Sequence, residues 1–191
     1  TNIKTYVSLL SKGNPEKFPR YFAVLHHEID RLARLIQDLL DISRLDAEGE
    51  PNPDAATHLL AFWEPFWPSF FERSAREERQ LFVTLAEEVA AGQPIVYMET
   101  YQLEKLLTRL MDNALTHTNI GGAIRINVGW SNGARSALEL QVCDDGPGIK
   151  EEERPFLFDR FFRGERAVES GLPGNGLGLA VVKELLAQYG G

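Results

Sequence analysis

The chain has 191 residues, a net charge of −8 and a single cysteine. An acidic balance of that size argues against a general nucleic-acid or anionic-membrane binder, since both need a basic face. One cysteine excludes an internal disulfide and a cysteine metal cage; Cys143 ends the alternating run Leu138–Val142 and reads as a small buried hydrophobe. No apolar run is long enough to span a bilayer and no signal-peptide pattern opens the chain, so the stretch reads as soluble, with room for a membrane segment upstream of Thr1 in a longer parent.

In chain order, Ile3–Leu10 is a short apolar-patterned segment. Gly13, Asn14, Pro15 and Pro19 separate it from one long predicted helix over 20–45, so a helical hairpin is expected. Phe22, Leu25, Ile29, Leu32, Ile36 and Leu39 alternate by three and four along that helix. This is a heptad seam, suited to a coiled coil or four-helix bundle. Charged residues, among them Asp38 and Asp41, fill the other faces. The polar tract around Gly49, Pro51 and Pro53 reads as a linker over 47–54 between a first unit (1–46) and a second (55–191). Leu59–Glu78 reads as helix disturbed by Pro65 and Pro68. Its aromatic stripe (Phe62, Trp63, Phe66, Trp67, Phe70, Phe71) reads as core in preference to a stacking platform. Leu81–Leu85 and Ile95–Met98 are expected strands, and Leu103–His117 an amphipathic helix. Ala123–Trp130 and Ala137–Cys143 alternate as half-buried strands, and Leu177–Tyr189 closes the chain as a helix. Without a repeating βαβ rhythm, the class is α+β.

Four segments of the second unit carry chemistry. They are 109–118 on a helix, 144–149 after a strand, 156–164, and 174–180 leading into the last helix. Gly174, Gly176 and Gly178 let backbone N–H groups approach an anion at a helix N-terminus, a polyphosphate cradle. Asp144 before a Gly146-Pro147-Gly148 turn offers a fixed carboxylate that accepts hydrogen bonds, as an exocyclic amine such as adenine's requires. Asn113 offers a neutral amide oxygen suited to a magnesium ion that also holds phosphates.

Together and in this order, the segments resemble the N, G1, F and G2 boxes of the Bergerat-fold ATPases. That group includes histidine kinases, gyrase-type topoisomerases, HSP90-type chaperones and mismatch-repair ATPases. The first unit resembles the second helix of a histidine-kinase dimerisation hairpin, through His27-Glu28-Ile29-Asp30-Arg31-Leu32 and Leu39–Leu45. The F box and the Gly176-Leu177-Gly178-Leu179 form of the G2 box are also similar to histidine kinases. The resemblance implies a Bergerat-fold α/β sandwich, a mixed sheet with helices on one face, behind a partial dimerisation hairpin. It implies ATP and Mg2+ as cofactors, with Asn113 on the metal and Asp144 on the adenine amine. Gly146, Gly148 and Ile149 would shape the adenine pocket, and His117 would take the place of a tyrosine against the nucleotide. Residues 159–175 would form a mobile lid over the phosphates with Arg163 as its cation, and Gly174, Gly176, Leu177, Gly178 and Leu179 would hold the phosphate end. The implied function is transfer of the ATP γ-phosphoryl to a histidine, then to an aspartate on a response-regulator receiver domain. The implied setting is a cytoplasmic homodimer with no nucleic-acid partner and no membrane contact by this stretch.

The sequence departs from that family in three places. Its phosphoacceptor motif, His-Glu/Asp-Leu-X-X-Pro, is absent; Thr1-Asn2-Ile3 resembles the residues just after it, so the acceptor is expected upstream. His27-Glu28 is a decoy, because Leu32 stands where the proline belongs. In the N box, Arg109 and Thr116 replace the usual asparagine and lysine. Arg109 cannot serve as the water-activating glutamate of the topoisomerase and chaperone branches, which disfavours ATP hydrolysis as the main activity. Tyr189-Gly190-Gly191 resembles the tripeptide before a last β-hairpin, so two strands of the family sheet are expected to be missing. Two other readings compete. One is a degenerate, dimerising scaffold, motivated by Arg109 and Thr116. The other is an anti-sigma-factor serine kinase, which the heptad seam disfavours.

Overall fold

A computed structural model describes residues 2–47, 52, 54–131 and 137–191; most of the expected linker lies outside the described residues. Helix α1 (Asn2–Lys12) and the long α2 (Phe18–Ala47) form an antiparallel hairpin. Between them the Asn14 side chain caps a 3-10 turn, Pro15–Lys17, by accepting from the Glu16 N–H at 3.0 Å. Tyr6 and Tyr21 pack across the hairpin as a tilted pair with ring centroids 5.7 Å apart. The backbone of His27 lies on α2; its side chain lies outside the described residues.

The heptad seam is real in spacing but mostly uncovered. Phe22, Ile29, Leu32, Ile36 and Leu39 are 41% to 56% exposed, and only Leu25 is buried. The charged faces of α2 are not all solvated either. Asp38 and Asp41 are buried against the rest of the chain, which corrects the reading of both as face charges.

The second unit opens with a two-residue strand that the sequence does not signal: β1 (Thr57–His58) pairs antiparallel with β3 (Ile95–Val96). The aromatic helix is two helices, α3 (Leu59–Phe66) and α4 (Pro68–Arg76). Pro68 has no N–H to continue α3 and instead sits at the first position of α4. Five of the six aromatics enter the core, with Phe66 and Trp67 edge-to-face at 4.9 Å, while Phe71 stays exposed. Strand β2 (Gln80–Leu85) and a short α5 (Glu87–Gly92) follow, then α6 (Thr100–His117), β4 (Ala123–Trp130) and β5 (Leu138–Asp144). After a 3-10 segment, Glu151–Phe156, come α7 (Glu165–Glu169) and α8 (Gly178–Gln188).

The sheet order is β2-β4-β5, with β2 parallel and β5 antiparallel to β4. It is therefore mixed, and the class is α+β. Period-two alternation decides its faces. Ile124, Ile126 and Val128 are buried inward, and Arg125 and Asn127 point out. On β5, Leu138, Leu140 and Val142 face the core, which puts Cys143 on the exposed side. The expected burial of Cys143 is thus corrected by register. Against the inner face lie Met111 and Leu115 of α6 and Val181 and Leu185 of α8, all essentially inaccessible. This two-layer core sets α6, the end of β5 and the start of α8 around one cleft.

Candidate nucleotide site

The cleft has a volume of about 1210 Å³ and runs from the loop after β5 across α6 to α2. Asn113, His117, Asp144, Gly148, Ile149, Arg163, Gly174, Gly176, Gly178 and Leu179 all line it. The four segments, 109–118, 144–149, 156–164 and 174–180, thus each contribute residues to one cleft.

At one end is the loop after β5. Asp145 is tied back to the sheet: its carboxylate accepts from the Ala123 N–H at 3.2 Å and from Arg125 at 3.0 Å. Arg125, with that backbone N–H, holds the Asp145 carboxyl below the usual carboxylate range. Asp144 faces the cleft instead. Its Oδ1 accepts from the Gly146 N–H at 2.8 Å, an Asx turn that fixes the carboxylate and leaves Oδ2 for a ligand. Gly146 is required there, although it does not itself line the cleft. A Cβ at this position would stand 2.5 Å from Asp144 Oδ1 and 2.8 Å from the His117 carbonyl. Gly148 adopts a positive φ of 69°, completing the turn.

His117, in the last turn of α6, is half-buried. Burial depresses its pKa below the ordinary value of 6.5; the nearby Arg163 charge adds to this and Asp144 opposes it. The imidazole is therefore neutral at pH 7. Because the folded value is the lower one, the unfolded chain takes up this proton first. The His117 contribution is intact above about pH 6.5 and is lost as pH falls through the folded value. Urea melts from pH 7.5 down to 5.5 should show a stability loss that His117→Gln reduces; identical slopes for the two proteins would contradict this.

At the other end, Gly174 and Gly176 have φ of 147° and 73°. A Cβ on Gly176 would lie 2.4 Å from the Phe162 carbonyl oxygen, and the Phe161 N–H donates to the Gly176 carbonyl at 2.9 Å. The F segment thus fixes the glycine run, with Phe161 itself at a positive φ of 67°. Helix α8 then starts at Gly178 with no side-chain cap from Leu177. The Leu177 side chain is fully buried in the core and does not line the cleft, so it shapes the loop by anchoring it.

The segment expected as a lid lines the cleft and is tied to its surroundings by side-chain contacts. Arg163 Nη2 donates to the carbonyls of Ala167 at 3.2 Å and Leu172 at 2.5 Å. Arg166 donates to the Pro147 carbonyl, and Lys150 pairs with Glu165. Arg163 therefore lines the cleft while holding the lid's own backbone.

The two unusual N-box residues line the cleft, but their polar groups are engaged within the protein. Thr116 Oγ1 donates to the Asp112 carbonyl at 2.7 Å. Arg109 Nη2 lies 2.5 Å from Asp38 Oδ1 and 3.4 Å from Asp41 Oδ2. Asp41 also accepts from Lys105 at 3.0 Å and from Gln37 at 2.9 Å. Burial raises the Asp38 carboxyl above its ordinary value, while its hydrogen bond from Asn175 and the nearby Arg109 charge pull it back down. Sequence reasoning missed Asp38, Asn175 and the cleft-lining Arg31 and Arg34 of α2. The anomalous Arg109 was the available signal, since a buried guanidinium calls for nearby carboxylates.

Comparison with known proteins agrees with this arrangement. The family model described as histidine kinase-, DNA gyrase B- and HSP90-like ATPase matches residues 99–191. The His Kinase A (phospho-acceptor) domain model matches residues 1–48. The chain is 36% identical over 195 residues to the sensor histidine kinase Hik2 of Thermosynechococcus vestitus, covering 98% of this chain and 49% of that protein. It is 32% identical over 196 residues to the histidine-protein kinase/phosphatase MprB of Mycobacterium tuberculosis, covering 100% of this chain and 36% of that one. The chain thus spans half or less of these curated relatives. Among solved structures, the Acinetobacter baumannii histidine kinase AdeS superposes with a TM-score of 0.71 at 22% identity, over 97% of this chain and 82% of that chain. Full-length ShkA, solved in complex with AMPPNP, gives 0.69 at 22% identity, over 91% of this chain and 34% of that chain. A phospho-acceptor-type helical hairpin followed by this ATPase fold makes the chain a sensor histidine kinase catalytic core.

Proposed function

We propose that the protein binds ATP in the cleft and donates its γ-phosphoryl to a histidine outside these residues, from which it passes to a response-regulator aspartate. The observation carrying this reading is the convergence of a fixed carboxylate, a neutral amide and an uncapped glycine-rich helix start on one cleft. In this reading residues 1–46 are the partial dimerisation hairpin, 47–54 the linker and 55–191 the catalytic domain. The exposed apolar seam of α2 is the surface on which a second copy completes a four-helix bundle. The setting is the cytoplasm.

The residues present fit the ligand. Asp144 Oδ2 accepts from the adenine amine while Oδ1 stays on Gly146, and Gly148, Ile149 and His117 bound the base. The amides around Gly174, Gly176 and Gly178 suit phosphates, helped by the α8 dipole. Among the described residues no cluster of three His, Cys, Asp or Glu side chains exists to cage a metal. Asn113 with phosphate and water oxygens is the fitting ligand set for Mg2+. Magnesium there would neutralise phosphate charge. The chain's own work is positioning: it orients the triphosphate, and the lid held by Arg163 excludes water.

None of the four histidines lies on α1. With γ-labelled ATP, the full-length parent should gain acid-labile, base-stable label, while this chain alone gains none. Label on serine or threonine of this chain would overturn the proposal. A second reading, a non-catalytic scaffold, is favoured by one observation: the Arg109 guanidinium is paired with Asp38 and Asp41, and Thr116 carries no charge. Measurable transfer by the parent would remove it.

A further inference from the structure

Asp38 belongs to the hairpin, yet only 3% of it is exposed, and one of its two oxygens reaches into the glycine-rich loop. Its Oδ2 accepts from Asn175 Nδ2 at 2.6 Å, across 137 positions of sequence. The same Asn175 carboxamide accepts from the Leu177 N–H through Oδ1 at 3.0 Å. Leu177 is fully buried, so that end of the bridge is anchored in the core. Asn175 is thereby gripped at both ends of its amide, between Gly174 and Gly176, whose backbones would otherwise have the widest conformational choice in the loop. On its other side Asp38 is paired with Arg109, 2.5 Å away. A free glycine loop must be ordered when a polyphosphate binds, and that ordering subtracts from affinity. A loop already held by Asp38 avoids the cost.

We propose that Asp38 is a positioning residue for the phosphate loop: through Asn175 it preorganises Gly174–Gly178, so that nucleotide affinity depends on α2 being docked against the catalytic domain. By reciprocity, phosphates on the loop strengthen that docking by the same factor. Any signal that rotates or shifts α2 is then read as a change in nucleotide affinity. The inference rests on the reading that this loop holds phosphates.

The test measures dissociation constants of Mg-ATP and of adenosine on the whole chain, unaltered and as Asp38→Ala, Asp38→Asn, Asn175→Ala and the Asp38→Ala/Asn175→Ala pair. Melting curves confirm that each is folded. Asp38→Ala and Asn175→Ala should each weaken Mg-ATP about tenfold, the size of one lost buried hydrogen bond, and the pair should be no worse than either alone. Adenosine, which lacks phosphates, should bind all variants alike. Asp38→Asn keeps an acceptor oxygen for Asn175 and should recover most of the loss. Equal losses for adenosine and Mg-ATP, additive losses in the pair, or full Mg-ATP affinity in Asp38→Ala would each overturn the proposal while leaving the nucleotide site intact. Failure of the unaltered chain to bind either ligand would overturn both.

Discussion

Asp144→Asn should weaken ATP binding by roughly 10- to 150-fold, about 1.5–3 kcal/mol, the range for hydrogen bonds to a charged acceptor. The geometry explains why so small a change costs so much. The carboxylate has two acceptor oxygens, one already taken by the Gly146 N–H at 2.8 Å. An asparagine has one. If its oxygen stays on Gly146, its NH2 meets the adenine amine donor to donor. If it flips, its NH2 meets the Gly146 N–H. Either way one donor is unpaired. Asp144 is exposed and outside the core, so melting should change little. Calorimetry with parallel melting curves checks both halves; unchanged affinity would place the base elsewhere.

Arg109→Ala carries the largest expected stability effect, a loss of about 3–5 kcal/mol typical of breaking a buried ion pair from one side. The guanidinium sits between Asp38 and Asp41, whose side chains are 5% and 1% exposed. Removing it leaves Asp41 with Lys105 and Gln37, but leaves Asp38 with only the Asn175 amide. The remedy for an unpaired buried carboxylate is to take up a proton, so the deficit should shrink as pH is lowered toward the carboxylate range. A double-mutant cycle with Asp38→Asn, followed by urea unfolding, should recover part of the loss. Independent, additive losses would mean that the two side chains do not share one network.

Much of this was legible in the sequence because the signals were local. The alternation of Ala123–Trp130 defines β4 to the residue, and the spacing of apolar positions marks α2 and α6. The boxes around Asn113, Asp144 and Gly176 were legible because each needs its residue types close together. What stayed hidden depends on partners distant in sequence. The burial of Asp38 is set by Arg109 and Asn175, and a single helix read by its heptads shows charges only as a polar face. Cys143 followed the hydrophobic run before it, but strand register put it on the outer side. The strand Thr57–His58 is too short to carry a pattern and exists because Ile95–Val96 pairs with it. Trp67 ends α3 because Pro68 starts a new helix, a break that prolines announced without fixing its position.

The central claim is that one nucleotide spans the cleft, base at Asp144 and phosphates at the glycine run. Amide chemical shifts of the 15N-labelled chain, titrated with Mg-ATP and separately with adenosine, test it most directly. Mg-ATP should move the amides of Gly146 and Gly148 together with those of Gly174, Gly176 and Gly178, and adenosine should move only the first pair. Shifts confined to other surfaces, or the glycine run responding to adenosine as strongly as to Mg-ATP, would contradict the account.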